Sequence, residues 1–441
     1  MNQSMKLKRL ILIEMNEINF ELVEEYLKNN KGKFQGFEKL LNCTKIITNS
    51  ENQYEELEPW IQWASVHTGK SYSDHRLFRL GDIVKSRIPQ IFEELEKIGV
   101  SVGIISSMGV DNRLKKSAYF IPDPWTQTSP DNAWWSKALS FHISQAVRDN
   151  SKSKITIRGI LVILIGLVRF AKIHHYFIYL NLAFKSLFFS WHRALLLDLF
   201  LHDIHTFFLK NKKPGFSTLF LNAGAHIQHH YLYNSPYIYS KSNIKNPEWY
   251  ISNKRDPIFE MIKIYNHIIA DYLANKEYEL IVATGLSQCA CDKLEFYYRL
   301  RDHFSFLNKI GINFLNVHPK MSRDFTINFK SEADAKLAQI ILGEIKIIGK
   351  TEPLFGVIEN RATELFITLT YPNEIVAGDM IKVGIKKYKI YKDIVFVALK
   401  NGKHIPKGYA FCSIGLKKFF PKNGSHVKEL YTMVLKFFMT N

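Results

Sequence analysis

Cysteine is scarce in this chain: four in 441 residues, Cys43, Cys289, Cys291 and Cys412. Four cysteines at these spacings do not make a disulfide framework, and Cys289-x-Cys291 has no second pair to complete a structural zinc site. Such usage fits a reducing compartment. Long apolar runs are also missing. The longest run made only of apolar residues and glycine, GILVILIGLV from Gly159 to Val168, is about half a membrane span. The N-terminal MNQSMKLKRLILIEMNE starts basic, as a signal peptide does, but its apolar run ends at Glu14, too early for one. It reads instead as a first buried strand, which places the protein in the cytoplasm. Acidic residues are outnumbered, 41 Asp and Glu against 59 Lys and Arg, which leaves a formal charge of +18. That excess attracts anions such as phosphate esters, nucleic acid or an anionic membrane surface. No nucleic-acid-binding module is recognisable and the basic residues are dispersed, so no specific nucleic acid is expected. Repeats and low-complexity linkers are absent.

What is present is the composition of a folded protein, 46% hydrophobic and 23% charged. The length suggests two or three structural units. Leu10–Ile13, Val102–Ile105 and Leu280–Ala283 read as buried strands, with Leu219–Leu221 a weaker fourth. Helical patterns at 88–99 and 259–274 lie between them. That alternation predicts an α/β fold with a mainly parallel sheet flanked by helices. Ligands bind at the carboxyl ends of such strands. The segments to inspect are therefore Glu14–Glu17, Ser106–Met108, Asn222–His230 and Thr284–Gln288.

The segment from Lys152 to Pro214 is dense in Leu, Ile and Phe and carries ten Lys or Arg against two Asp. It reads as two or three amphipathic helices, either a cap packed on the core or a basic surface that lies on anionic lipid. From about Thr351, strand-like alternation returns. The expected organisation is an α/β core in two parts (1–150 and 215–345), an inserted basic apolar helical cap (151–214), and a β-containing C-terminal portion (346–441) that completes the core.

Five segments together resemble the alkaline phosphatase superfamily, most closely its type I phosphodiesterase/nucleotide pyrophosphatase branch. They are LILIEMNEINFELVEEY (10–26), EPWIQWASVHTGKSYSDH (58–75), LFLNAGAHIQHH (219–230), ELIVATGLSQ (279–288) and KNGKHIPKGYAF (400–411). The resemblance lies in motif order and spacing over most of the chain. It implies an alkaline-phosphatase-like core and a phosphoryl-transfer ancestry in which two metal ions activate a Ser or Thr. Residue by residue, the metal-binding Asp of the first strand falls on Asn16, between Glu14 and Glu17. The nucleophile falls near Pro59, which has no nucleophilic group. The Asp-x-x-x-His pair becomes Asn222 and His226, and the Asp-His pair falls on Gly285 and Leu286, which cannot ligate. The late histidine is His404. One metal position has thus lost its ligands. The other keeps His226, His404 and Asn222, so at most one divalent ion, zinc or manganese, is expected.

The residues themselves leave alternatives open. His226, His229 and His230 sit at one strand end. They suit a metal set completed by a further His or Glu, a metal-free acid/base site, or simple packing. Glu17 and Glu58 flank the positions of the family's reactive groups and suit acid/base work or hydroxyl contacts on a sugar. Gln62 and Trp63, in EPWIQW, suit a sugar or base platform, and equally a core. Arg323 suits a phosphate or a structural ion pair. The assignment is Glu17, Glu58 and His230 as catalytic, Asn16, Gln62, Trp63 and Arg323 as substrate-binding, and His226, His404 and Asn222 as metal ligands. The expected activity is phosphoester or glycosyl transfer or hydrolysis on an anionic, nucleotide-linked or lipid-linked sugar. The setting would be surface polysaccharide assembly, at the cytoplasmic face of a membrane. The alternative is a pseudoenzyme that keeps the cleft as a binding scaffold.

Overall fold

The protein is described by a computed structural model over residues 8–148, 157–320 and 323–440. These fall into two compact units. One comprises 1–146, 154–290 and 402–441, and the other 147–153 and 291–401, counting all positions. The expected division at 345/346 lies inside the second unit, just after the helix Glu332–Glu344.

The first unit is built on a seven-stranded sheet. Six strands are β1 (Leu10–Met15), β2 (Thr44–Asn49), β3 (Val102–Ile105), β4 (Tyr119–Ile121), β5 (Phe216–Leu221) and β6 (Glu279–Ala283). With the strand Lys407–Cys412 their order is β2, Lys407–Cys412, β6, β1, β5, β3, β4. β1 pairs in parallel with β5 (Leu10 opposite Phe216) and with β6 (Leu10 opposite Glu279). Lys407–Cys412 alone among them runs antiparallel, between β6 and β2. The sheet is therefore mainly parallel, as expected.

β1 explains why its sequence is a continuous apolar run. Leu10 and Leu12 join one buried cluster, and Ile11, Ile13 and Met15 join another on the opposite face. A strand covered on both faces needs apolar residues at every position. The helices Phe20–Lys28, Trp191–Lys212 and Pro257–Ala274 contribute to the second of these clusters. Pro59–Thr68, Ile91–Lys97 and Glu429–Met439 contribute to the first. Helices flank both faces, and the strand ends at one edge are left to carry chemistry.

The insertion between β4 and β5 includes three helices, Ile157–Phe170, Tyr176–Ser186 and Trp191–Lys212; its positions 151–156 lie outside the described residues. Within the second unit, a four-stranded antiparallel sheet (Phe355–Arg361, Glu364–Leu369, Asp324–Asn328, Asn316–Pro319) shares a core with the helix Glu332–Glu344.

Candidate functional site

The carboxyl ends of β1, β5 and β6 lie side by side. The amide of Asn16 donates to the Leu221 carbonyl (3.0 Å) and that of Glu17 to the Thr284 carbonyl (3.0 Å). Glu17 is buried and has a φ of 62°. A non-glycine residue in the left-handed region is strained by about 1–3 kcal/mol and persists where its surroundings over-determine it. Here the two neighbouring strands hold the backbone while the side chain is aimed across the sheet edge.

Two histidines meet that carboxylate. After β5, the helix Ala223–Tyr231 presents His229. The antiparallel strand Lys407–Cys412 begins at the edge where the parallel strands end, so the residues before it bring His404 to the same point. Glu17 Oε2 is 2.9 Å from His229 Nε2 and 3.0 Å from His404 Nε2, and the two nitrogens are 3.2 Å apart. Burial works to raise the Glu17 pKa, but the charges and hydrogen bonds of His404 and His229 outweigh it and hold the carboxyl well below its usual range. Burial likewise works to lower that of His404, and Glu17 reverses the sign, leaving the imidazole above its ordinary value.

A shell of polar groups fixes these three. Asn16 Nδ2 donates to Glu17 Oε1 (2.9 Å) and to Asn222 Oδ1 (2.9 Å), and Trp63 Nε1 donates to Asn16 Oδ1 (2.8 Å). Gln288 Nε2 donates to Glu17 Oε2, and Gln228 Nε2 donates to the Glu17 carbonyl (2.9 Å). His229 Nδ1 faces the Gly402 carbonyl at 3.3 Å. His404 Nδ1 lies 3.7 Å from Glu58 Oε2, on the residue that caps the helix Pro59–Thr68. Gly402 is required here, because a Cβ would lie 2.1 Å from Gln288 Oε1 and 2.8 Å from the Gln228 carbonyl.

The donor set fits a divalent ion. Glu17, His229 and His404 offer ligand atoms that lie within 4.8 Å of one another, and the separations above are close to those of neighbouring ligands around one small cation. The outer partner of His229 matches as well: ligating imidazoles give their second N–H to a carbonyl or carboxylate, and the Gly402 carbonyl faces its Nδ1. A proton on His229 Nδ1, toward Gly402, leaves the Nε2 lone pair facing the Glu17 carboxylate. Only a proton or a metal cation relieves that opposition. Two imidazoles and a carboxylate suit zinc, manganese or iron, with positions open for water or substrate.

The sequence assignment is corrected in part. Glu17 and His404 converge, but their partner is His229. His226 belongs to no ligand-competent group among the described residues; its ring packs against His230 at 4.9 Å between centroids, and burial lowers its pKa to about 4. The resemblance favoured position 226 because of the Asp-x-x-x-His spacing. The helix turns His229 inward instead, three residues on and roughly 60° round its axis. Asn222 is one hydrogen bond removed, held through Asn16. Glu58 stands beside His404 as an outer carboxylate. His230 is half-buried against His226 and His229. Gln62 and Trp63 are fully buried. Trp63 packs edge-on to Phe220, and Gln62 Nε2 donates to the Glu56 carbonyl while its Oε1 has no partner, so neither offers an open platform. Arg323 belongs to the second unit, its guanidinium 4.0 Å from the centre of the Tyr297 ring. Glu14 turns to the opposite face of the sheet from Ile13 and Met15 and pairs with buried His67 at 2.8 Å. Gln228, Gln288 and Gly402 were not singled out; nothing local to their sequence distinguishes them.

No protein-family model and no curated protein matches the chain. Solved structures do. Phosphonoacetate hydrolase from Sinorhizobium meliloti 1021 matches at 10% identity, covering 98% of this chain and 96% of its own, with a TM-score of 0.43. Murine ectonucleotide pyrophosphatase/phosphodiesterase 5 matches at 9% identity over 97% and 94%, with a TM-score of 0.41. TAB5 alkaline phosphatase matches at 10% identity over 99% of both chains, with a TM-score of 0.41. All three are alkaline phosphatase superfamily enzymes.

Proposed function

We propose that the protein is an enzyme acting on a phosphorylated substrate, through one divalent ion held by Glu17, His229 and His404. The observation that carries this reading is the orientation of His229. Its Nδ1 faces a carbonyl and its Nε2 a buried carboxylate, an arrangement that a metal ion between them satisfies in place of a proton. The ion, when bound, would act as a Lewis acid on a phosphoryl oxygen or its attacking water. The chain's own part is to orient those ligands through Asn16, Gln288, Gly402 and Glu58. His404 Nδ1, beside Glu58, holds a proton at the edge of the site.

The substrate we favour is a lipid-linked or nucleotide-linked sugar phosphate, of the kind used in surface polysaccharide assembly. Two features support it. The net charge attracts phosphate, and the helical insertion exposes a broad apolar face. Ile160, Leu161, Leu164, Ile165 and Val168 on one helix and Phe177, Leu180 and Phe184 on the next are solvent-exposed, Val168 by 77% and Phe177 by 80%. From 157 to 197 the chain has no Asp or Glu but carries Arg158, Arg169, Lys172, Lys185 and Arg193. No helix among the described residues is long and apolar enough to cross a membrane. Lys172 and Lys185 pair with Asp271 and Glu260 of a neighbouring helix, and an apolar face flanked by Arg158, Arg169 and Arg193 fits an anionic lipid surface that presents the substrate.

One observation favours a second reading, a binding protein without turnover. By the resemblance in motif order, the family's nucleophile falls near Pro59 and the ligands of its second metal fall on Gly285 and Leu286. A single assay separates the two. The purified chain is analysed for zinc and manganese and assayed on a generic phosphodiester, beside His229→Ala and His404→Ala. Loss of turnover together with one equivalent of metal in each variant, relative to the unsubstituted chain, is the expected result. Metal without turnover on any phosphoester supports the binding protein; failure of either variant to change metal content removes the metal-dependent enzyme.

A further inference from the structure

The helical insertion gathers a second set of ligand-type side chains, sharing no residue with the Glu17 set. His174 and His175 precede the helix Tyr176–Ser186, Asp203 lies within Trp191–Lys212, and Asp271 lies near the end of Pro257–Ala274. His174, His175 and Asp271 offer ligand atoms within 4.8 Å of one another. Neither phosphoryl chemistry nor the packing of the sheet uses them.

The decisive group is His175, which is 1% exposed. Its Nδ1 is 2.8 Å from Asp203 Oδ1. Asp203 is itself fully buried and accepts from Tyr179 Oη (2.8 Å) and from the Lys172 amide (3.1 Å). A buried carboxylate so placed keeps the ring proton on Nδ1. The opposite nitrogen, Nε2, is then a bare lone pair, buried, with no hydrogen-bond partner. It points toward Asp271, whose Oδ2 is 3.9 Å away. An unpaired acceptor facing a carboxylate is disfavoured by desolvation and repulsion unless a cation lies between. His174, stacked edge-on to His175 with centroids 4.3 Å apart, brings another imidazole to the same space. The charge now nearest is the Lys172 ammonium, 2.5 Å from Asp271 Oδ2 and 3.3 Å from His202 Nε2. His202 Nε2 also meets Asp271 Oδ2, at 2.9 Å.

We propose that His174, His175 and Asp271 bind a divalent transition-metal ion with zinc's ligand preferences, that Asp203 positions His175 for it, and that the ion takes over from Lys172 the charge opposite Asp271. Two imidazoles, one of them oriented by a buried carboxylate, and the carboxylate of Asp271 are donors such an ion selects. The ion would tie the start of the helix Tyr176–Ser186 to the helix Pro257–Ala274, which packs on the sheet. Binding to the folded chain alone would stabilise it by mass action.

The test uses the full-length chain carrying His404→Ala, so that zinc at the Glu17 set does not contribute and the outcome is independent of that set's function. Zinc is titrated by calorimetry, and the melting temperature is followed with and without zinc. One equivalent is expected to bind and to raise the melting temperature. Adding Asp271→Asn or His174→Ala is expected to weaken binding by at least about a hundredfold and to abolish the thermal shift. His174 is exposed, so its removal leaves the buried His175–Asp203 pair intact and the variant folded. Lys172→Met, which removes the competing ammonium, is expected to tighten binding. A His404→Ala chain that takes up no stoichiometric zinc overturns the proposal, and so does one whose zinc survives both His174→Ala and Asp271→Asn.

Discussion

At the scale of single residues, the site depends on one strained carboxylate and one missing side chain. Glu17 reaches His229 and His404 because two strands clamp its backbone in a conformation that few non-glycine residues adopt. Gly402 lets the chain pass close enough for its carbonyl to receive His229 and for Gln288 to reach Glu17. Gly402→Ala is therefore expected to destabilise the fold by about 1–3 kcal/mol, since the new methyl meets backbone at Gln228 as well as a side chain. It is also expected to lower metal content by displacing Gln288. Denaturant unfolding together with metal analysis checks this; a variant with unchanged midpoint and full metal would show that the close approach is not needed. The sequence made Glu17 and His404 legible, because both lie in segments with a recognisable order. It did not single out His229 over His226, since the choice depends on how the helix Ala223–Tyr231 is rotated on the sheet.

At the scale of elements, the helices Ile157–Phe170 and Tyr176–Ser186 are unusual for an α/β protein. Gly159, Gly166 and Phe170 are buried, with Phe200 directly beneath Gly166, where a Cβ would lie 2.6 Å from it. The outer face, where a surface helix usually turns polar, is Leu and Ile instead. If that face lies on anionic lipid, the chain is expected to float with vesicles containing phosphatidylglycerol at low salt. Each basic side chain near the surface contributes about 1 kcal/mol, so raising the salt should release it. Phe177→Glu with Leu180→Glu is expected to abolish flotation without changing circular dichroism, because both side chains are exposed. Flotation that survives the double substitution would assign the face another role. The helical, basic and apolar character of this segment was readable from its composition, whereas the outward direction of its apolar residues was not.

At the scale of the whole molecule, buried neutral histidines set the response to acid. Burial lowers His75, His202, His226 and His303 to about 4 each, against a usual 6.5. A depressed histidine pKa means that the unfolded chain binds the proton first. The stability each contributes is complete above pH 6.5 and is lost as the pH falls toward 4, by up to about 1.4 kcal/mol per pH unit per group. Asp198, raised by burial to about 6, acts the other way, gaining stability over the same interval, and the raised Asp123 and Asp256 act with it; the raised His404 makes its contribution in full below pH 6.5 and changes it only at higher pH. The histidines outweigh them, so the denaturant midpoint is expected to fall steadily between pH 6.5 and 4.5. A midpoint that rises over that interval would contradict the balance.

The sequence by itself determined the kind of fold and the edge where chemistry gathers. Apolar runs of strand length, buried on both faces and separated by helical periodicity, have few other ways to remove themselves from water. Through the resemblance in motif order it also set the expectation of one metal position rather than two, because the family's nucleophile falls near Pro59 and its second pair of ligands on Gly285 and Leu286. Which residues meet was decided only in three dimensions. The antiparallel entry of Lys407–Cys412 carries His404 across nearly four hundred positions to Glu17. The helix rotation selects His229, and the fold sends Trp63 into the core. These are outcomes of long-range packing, in which each side chain's partner lies far away in sequence and no local pattern encodes the pairing.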